Sequence, residues 1–487
     1  MKTKIIVYFS LIIMLTSCKK LDLAPVNNLT RNTFYKTPED AKAAVGSAYA
    51  AVSTIYRGGD FLFIDLATTD DGATFAGIGD RVPLWNYKIT PENQFINQYN
   101  NSYQTIQRSN IVIAHIPLIP LSDVLKAQYV AEAKFLRALS YFNLVRLYGG
   151  VPLVTTETKS LDIDVPRASV NEVYALIEQD LKDAEAILPV SFPAVADQGR
   201  VTKGAAKGLF AKVYLTRAGT TAGSPYWALA ASKAKEVMEL NIYDLWANYA
   251  DVFSLANKGG KEFVFEIQSK TDVLGSTVGR LYGVRSLPYA GGTGAGTCRV
   301  TPSLFNSYES ADTRREVNAP TTYTYGGTTY TLSATITDVT RAIPFAKYLD
   351  VTSTTGAGGK SFPYMRYSEI LLIYAEALNE VNPNPNINVE AYNAYKKVHD
   401  RSGLTTPLIG TFNYLTFKNA VWLERRLEFA TEIQRRFDLV RTGRLIDAVE
   451  SETSFGRTLE IQPFHYLLPI PQAVINSSPS VVQNPGY

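Results

Sequence analysis

The strongest constraint in this sequence is a helical period that keeps returning with small residues on its apolar stripe. In residues 124–148, Ala131, Phe135, Ala138, Phe142 and Val145 recur at spacings of 4, 3, 4 and 3, while Glu132, Lys134 and Arg137 take other faces. That pattern predicts an amphipathic helix. Gly149-Gly150 ends it, as residues that tolerate left-handed backbone do. The same spacing returns at Ile370, Tyr374, Ala377 and Val381, closed by Pro383 and Pro385, and at Ala420, Leu423, Leu427 and Ala430, with Phe437 two turns on. Residues 205–217 and 227–240 read as two more helices, the first with Ala206, Leu209 and Val213 in one stripe. Alanines on these stripes let helices approach closely, so the pattern predicts a mainly α fold of stacked antiparallel pairs of the tetratricopeptide kind. No clean repeat of about 34 residues accompanies it, and the expectation rests on helix character alone.

Strand patterns are few and short. Residues 262–268 alternate around Phe263, Phe265 and Ile267, and residues 321–337 alternate Thr and Tyr on both sides of Gly326-Gly327, the pattern of a hairpin. Between them, residues 271–301 are rich in Gly, Ser and Thr, carry Tyr282 and Tyr289, and lack a helical period. Long ordered loops in compact proteins usually serve a function, which makes this stretch the first candidate for a binding surface.

The N-terminus is an export signal: Lys2 and Lys4, an apolar run over residues 5–15, then Thr16-Ser17 before Cys18. The run is shorter than the roughly twenty residues a membrane span needs. Leu15-Thr16-Ser17-Cys18 resembles a bacterial lipobox, which implies cleavage before Cys18 and lipid attachment to it. The expected division is a signal peptide at 1–17, a lipidated tether at 18–30 and one domain at 31–487. The chain carries 48 Lys and Arg against 45 Asp and Glu; losing Lys2 and Lys4 with the leader brings the formal charge from +3 to +1.

A near-neutral chain argues against nucleic-acid binding by phosphate neutralisation. Cys18, Cys298, His115, His399 and His465 are too few and too scattered for zinc or thiol chemistry, so no metal and no cofactor is expected. Cys298 has no second free thiol to pair with and reads as inert. The glycine-rich residues 291–296 lack the Gly-Lys-Ser/Thr ending of a phosphate loop. Asp70-Asp71-Gly72 would put Arg81 at the twelfth position, where an EF-hand requires glutamate. Glu424 and Glu428 share a helix face, whereas a glycosidase sets its carboxylates across a sugar about 5 to 10 Å apart; ion pairs such as Glu432 with Arg436 are expected here instead. Neither a nucleophile elbow nor a zinc-protease helix motif occurs. The aromatic content leans to tyrosine, with 30 Tyr, 22 Phe and 4 Trp. An apolar face with a polar tip suits a sugar-like ligand.

Five stretches, in order along the chain, resemble the SusD/RagB family of outer-membrane lipoproteins from Bacteroidota. They are residues 131–138 running into Tyr148-Gly149-Gly150-Val151-Pro152-Leu153; Gly199-Arg200-Val201-Thr202-Lys203-Gly204-Ala205-Ala206; Arg366-Tyr367-Ser368-Glu369-Ile370-Leu371-Leu372 with Ala375-Glu376-Ala377; residues 424–428 with Arg436-Phe437-Asp438-Leu439; and Leu467-Leu468-Pro469-Ile470-Pro471 with Gln483-Asn484-Pro485-Gly486-Tyr487. The resemblance implies a helical scaffold with an irregular, loop-rich half that carries the ligand site. It also implies a non-enzymatic role in which the protein binds glycan at the cell surface as the lid of a SusC-type TonB-dependent transporter.

Trp85 lies where family members present a binding tryptophan, with Arg81 and Asn86 placed to hydrogen-bond hydroxyls. Tyr282 and Tyr289 resemble the family's second aromatic contribution, with Asp71 as a hydroxyl acceptor. A Trp85 buried under a loop is the competing reading, since tryptophans are mostly buried. A surface glycoside hydrolase and a helical scaffold that binds only protein remain as alternative functions. Cys18→Ala should abolish incorporation of labelled fatty acid and release the protein from the membrane fraction; label retained by the variant would rule out Cys18 as the anchor.

Overall fold

Helices begin where the sequence supplies caps. The structure, a computed structural model, describes residues 34–487 apart from 75–78, 159–163, 290–291, 337, 382 and 384–385. The leader, Cys18 and the tether to residue 30 lie outside the described residues. Helix α1 (Pro38–Arg57) starts on a reciprocal capping box between Thr37 and Asp40, which satisfies two orphan amides at once. After α2 (Asp60–Ala67), strand β1 (Gly72–Thr74) and the short α3 (Arg81–Trp85) come α4 (Gln98–His115) and α5 (Asp123–Tyr148). Ser122 caps α5 by accepting from Leu125 N, and Gly149 at φ +76° ends it. Helices α6 (Val170–Ile187), α7 (Lys203–Ala218) and α8 (Pro225–Met238) follow.

The irregular half then supplies β2 (Phe263–Ile267), α9 (Val278–Tyr282), β3 (Pro288–Tyr289), β4 (Gly292–Thr293), β5 (Cys298–Val300), β6 (Thr322–Tyr325), β7 (Thr328–Thr331) and β8 (Phe362–Arg366). The chain returns to helices with α10 (Tyr367–Val381), α11 (Val389–Arg401), α12 (Tyr414–Glu428) and α13 (Arg435–Arg441).

Neighbouring helices form one continuous array: α1 packs on α4, α4 on α5, α5 on α6, α6 on α7, α7 on α8, α8 on α10, and α10 on both α11 and α12. The predicted stacked scaffold is therefore present, and the sequence-distant α8 and α10 close the gap left by the irregular half. From Ala131 onward α5 is buried on almost every face, because α4, α6 and α1 cover it. Small residues permit such contacts. At Gly208 of α7 a Cβ would sit 2.4 Å from Met365 Sδ of β8.

The strands are accessories to this array. β2 pairs antiparallel with β8, β1 with β5, β3 with β4 and β6 with β7. Two expectations need correction. Residues 271–301 do contain a helical turn, α9, and three short strands. The helix expected through Ala430 stops at Glu428, so Phe437 belongs to α13. Thr431 at φ +67° and Ile433 at φ +55° force that break, and left-handed backbone at β-branched residues costs about 1 to 3 kcal/mol each.

What holds the break is a buried ion network. Glu432, between those two residues, accepts from Arg366 Nε at 2.9 Å and from Lys347 Nζ at 2.7 Å. Glu428 Oε1 accepts from Arg366 Nη1 at 2.6 Å and from Arg401, while Arg314 reaches Glu428 Oε2 at 3.3 Å. Glu262, just before β2, takes Arg366 Nη1 at 2.7 Å and Arg401 Nη1 at 3.1 Å. Glu424 accepts from Arg314 Nη1 at 2.5 Å and lies 2.9 Å from His399 Nδ1. The expected Glu432–Arg436 pair does not form: Arg436 instead donates its amide to Asp65 and its Nη2 to the His465 carbonyl.

Burial alone would raise the Glu428 carboxyl; Arg401, Arg366 and Arg314 outweigh it and hold the group well below the usual 4.5. A depressed carboxyl lends stability above its unfolded value and loses it as the pH falls. Stability to denaturant should therefore drop steeply below about pH 4.5. Glu428→Gln should cost about 3 to 5 kcal/mol at pH 7, because three arginines lose their shared counter-charge in the interior. The variant should also lose part of the acid dependence, which Asp438, Glu424 and Glu376 share; a variant as acid-sensitive as wild type would show that those other carboxyls govern it.

Candidate functional site

Two segments more than 200 residues apart in sequence are zipped together in space. β1 and β5 pair in the register Gly72 with Val300, Ala73 with Arg299 and Thr74 with Cys298. Thr301 extends the pairing, its amide donating to Asp71 O at 3.0 Å and its hydroxyl to Asp70 O at 2.6 Å. Thr74 Oγ1 donates to Thr297 O at 2.9 Å. The segment carrying Asp71, Arg81, Trp85 and Asn86 is thereby joined to the loop carrying Tyr282 and Tyr289, as a shared site requires.

The side chains themselves sit deeper than a sugar platform demands. Trp85 is 7% exposed and Tyr282 2%. The Trp85 indole lies under the Arg457 guanidinium, 5.3 Å from the ring centroid, and Arg457 Nε donates to the Trp85 carbonyl at 2.7 Å. Tyr282 OH donates to Gly59 O at 2.9 Å. Tyr289 is also buried, its hydroxyl oxygen accepting from Asp350 N at 3.0 Å. Gly279 makes room for that hydroxyl, since a Cβ there would lie 2.8 Å from it.

Asp71 is buried as well and takes Arg426 Nε at 2.8 Å, while Asp70 takes Arg435 at 2.8 and 2.7 Å. Burial raises the Asp71 carboxyl despite Arg426, whereas Arg426 and Arg435 outweigh burial at Asp70 and lower it. Arg81 and Asn86 are half-buried. Arg81 lies 5.8 Å from the Phe63 ring and 5.7 Å from Phe95, and Asn86 keeps an amide oxygen with no partner. Burial pushes the Cys298 thiol well above its ordinary range, so it is not a nucleophile at neutral pH. Among the described residues, no group of three or more His, Cys, Asp or Glu could hold a metal ion.

The accessible aromatics that sequence reasoning passed over lie on the β6–β7 hairpin. Tyr323 faces Tyr330 across the ladder, with ring centroids 6.4 Å apart and planes at 29°. Tyr325, two residues on from Tyr323, shares that face because strand side chains alternate. The opposite face is threonine, with Thr324 and Thr329 hydroxyls bonded at 2.9 Å. Tyr323 is buried and donates its hydroxyl to Pro288 O at 2.6 Å, which docks the hairpin on β3. Tyr325 and Tyr330 remain half-exposed, and the Arg341 guanidinium stands 5.0 Å from the Tyr330 ring. The Thr-Tyr alternation that predicts the hairpin also predicts this tyrosine face, so the signal was present in the sequence.

The larger cavities lie elsewhere. Two of about 250 Å³ meet at Gln198, Gly199, Arg200 and Gln268, and one of about 520 Å³ opens between α8, α10 and α11.

Comparison with known proteins agrees with this fold. Residues 314–487 match the model of the SusD family, and residues 65–215 a model described as starch-binding, associating with outer membrane. The chain is 28% identical to SusD-like protein P2 of Formosa agariphila, covering 100% of each chain. A SusD superfamily protein from Parabacteroides distasonis superposes with a TM-score of 0.81 at 25% identity, over 94% of this chain and 100% of that one. A laminarin-binding SusD-like protein gives 0.78 at 25% identity, over 93% and 100%.

Trp85→Ala should cost about 3 to 5 kcal/mol of stability, the usual effect of emptying a buried aromatic site. Denaturant unfolding measures it; an unchanged midpoint would mean that the indole is not part of the core.

Proposed function

We propose that this chain, which belongs to the SusD/RagB family, is a non-enzymatic lipoprotein that captures glycan at the outer membrane and delivers it to a SusC-type TonB-dependent transporter. In this reading residues 1–17 are removed, Cys18 carries the lipid, residues 18–30 tether the protein, and residues 31–487 act as one ligand-binding body. The observation that carries the ligand class is the tyrosine face of the β6–β7 hairpin. Two half-exposed rings, one of them beside a guanidinium, suit a neutral sugar polymer better than a small charged metabolite.

Relatives support the class of ligand: one binds laminarin, and another, 32% identical over 147 residues, is the starch-binding protein SusD of Bacteroides thetaiotaomicron. Arg81 and Asn86, the half-exposed members of the expected set, serve as hydroxyl partners. Trp85, Tyr282, Tyr289 and Asp71 shape the floor from below. A hydrolytic role finds no support at Glu424 and Glu428, since arginine and histidine occupy the first carboxylate and arginines the second.

Calorimetry with laminarin- and starch-derived oligosaccharides tests the reading. Tyr330→Ala and Tyr325→Ala should each weaken binding by about 1 kcal/mol or more through lost ring contact, with the fold unchanged by circular dichroism. Full binding in the double variant would place the platform elsewhere, and absence of binding across a broad glycan panel would overturn the ligand class. Co-purification of a transporter barrel from detergent-solubilised membranes tests delivery; recovery of the protein alone counts against it.

A further inference from the structure

Away from this surface, the core holds a small cavity in which the centre of a water-sized sphere can roam about 10 Å³, room for a single small occupant. Its wall includes Tyr56, Asn143, Arg146, Lys212 and Tyr364, all buried. We infer that this cavity is a binding site for one small monovalent anion of the halide class.

The argument is a count of donors without acceptors. Arg146 is clamped between two rings, its guanidinium carbon 3.9 Å from the Phe142 centroid and 3.6 Å from that of Phe437. Its Nε donates to Phe142 O at 3.1 Å and its Nη2 to Asn143 Oδ1 at 2.9 Å. Among the described residues Nη1 has no hydrogen-bond acceptor, and no carboxylate lies within ion-pair distance. Tyr364 OH has no partner at all. Tyr56 OH accepts from Asn143 Nδ2 at 2.8 Å, which leaves its own proton without an acceptor. Lys212 Nζ reaches Glu369 at 3.1 Å and has further protons to give.

The carboxylate on the wall is otherwise engaged. Glu432 commits both oxygens to Arg366 and Lys347, and Gln434 turns its amide nitrogen to Glu369 at 3.4 Å. A water placed here could accept from at most two of these donors, whereas a halide accepts from all of them. Charge points the same way. Arg146 is buried and forms no ion pair with a carboxylate among the described residues, while Lys212 shares Glu369 with Arg425. Buried charge demands a partner, and one monovalent anion beside Arg146 supplies it.

Bromide is the probe. Crystals of the mature protein held in sodium bromide should give an anomalous peak inside the cavity. In solution, the melting temperature should climb logarithmically with sodium chloride or bromide, and not with sodium gluconate at equal ionic strength, because gluconate is too large to enter. Tyr364→Phe, which removes one donor and no bulk, should raise the chloride midpoint about tenfold. Water density without anomalous signal, with equal melting in chloride and gluconate, overturns the proposal. So does a bromide peak without halide-specific stabilisation, which is an adventitious ion only.

Discussion

The structure depends on the carboxylate of Glu428. It ends α12 at a point where no water reaches, and three arginines from separate elements converge on it: Arg314 ahead of the hairpin, Arg366 at the end of β8 and Arg401 at the end of α11. Glu262 and Glu432 share two of those arginines, so β2, β8, α11 and the turn after α12 are fixed to one another by charge. Such networks add little net stability over a well-packed apolar core, but losing one member leaves the others unpaired in a low dielectric. The arrangement therefore specifies geometry. It sets where the helical array resumes after more than a hundred residues of irregular chain, and it holds the left-handed backbone at Thr431 and Ile433.

From that fixed point the proposed ligand surface is built outward. The turn after α12 leads to Arg435, and Arg426 and Arg435 together hold Asp70 and Asp71. This pair of aspartates anchors the start of β1, β1 carries β5, and the loop between α9 and β5 supports β3, on which Tyr323 docks the hairpin. Residues that look like ligand contacts in the sequence thus act one layer below the surface. Asp71 is a strut between scaffold and loop, and Tyr289 is a spacer against the Asp350 backbone.

The cavity beside Arg146 follows from the same rule that buried charge must be matched. Where Arg366 meets carboxylates, Arg146 meets two rings and an amide.

The sequence by itself determined the helices, because a 3.6-residue period with alanine on the contact stripe has few other solutions; α5, α7, α8 and α10 lie within a few residues of where Phe135, Leu209, Trp227 and Ile370 place them. It determined the hairpin too, through the alternation around Gly326-Gly327. Tertiary structure decided what period and composition do not encode. Glu424, Glu428 and Glu432 sit at helical spacing to one another, yet their partners Arg314, Arg366 and Lys347 come from remote strands and loops, so no local rule could pair them. The helix breaks after Glu428 at left-handed Thr431 and Ile433, and the turn so formed presents Glu432 to Arg366 and Lys347. Trp85 and Tyr282 are held inward by remote partners, Arg457 over the indole and Gly59 O on the tyrosine hydroxyl, and contacts across more than 200 residues are invisible to any window of neighbouring sequence.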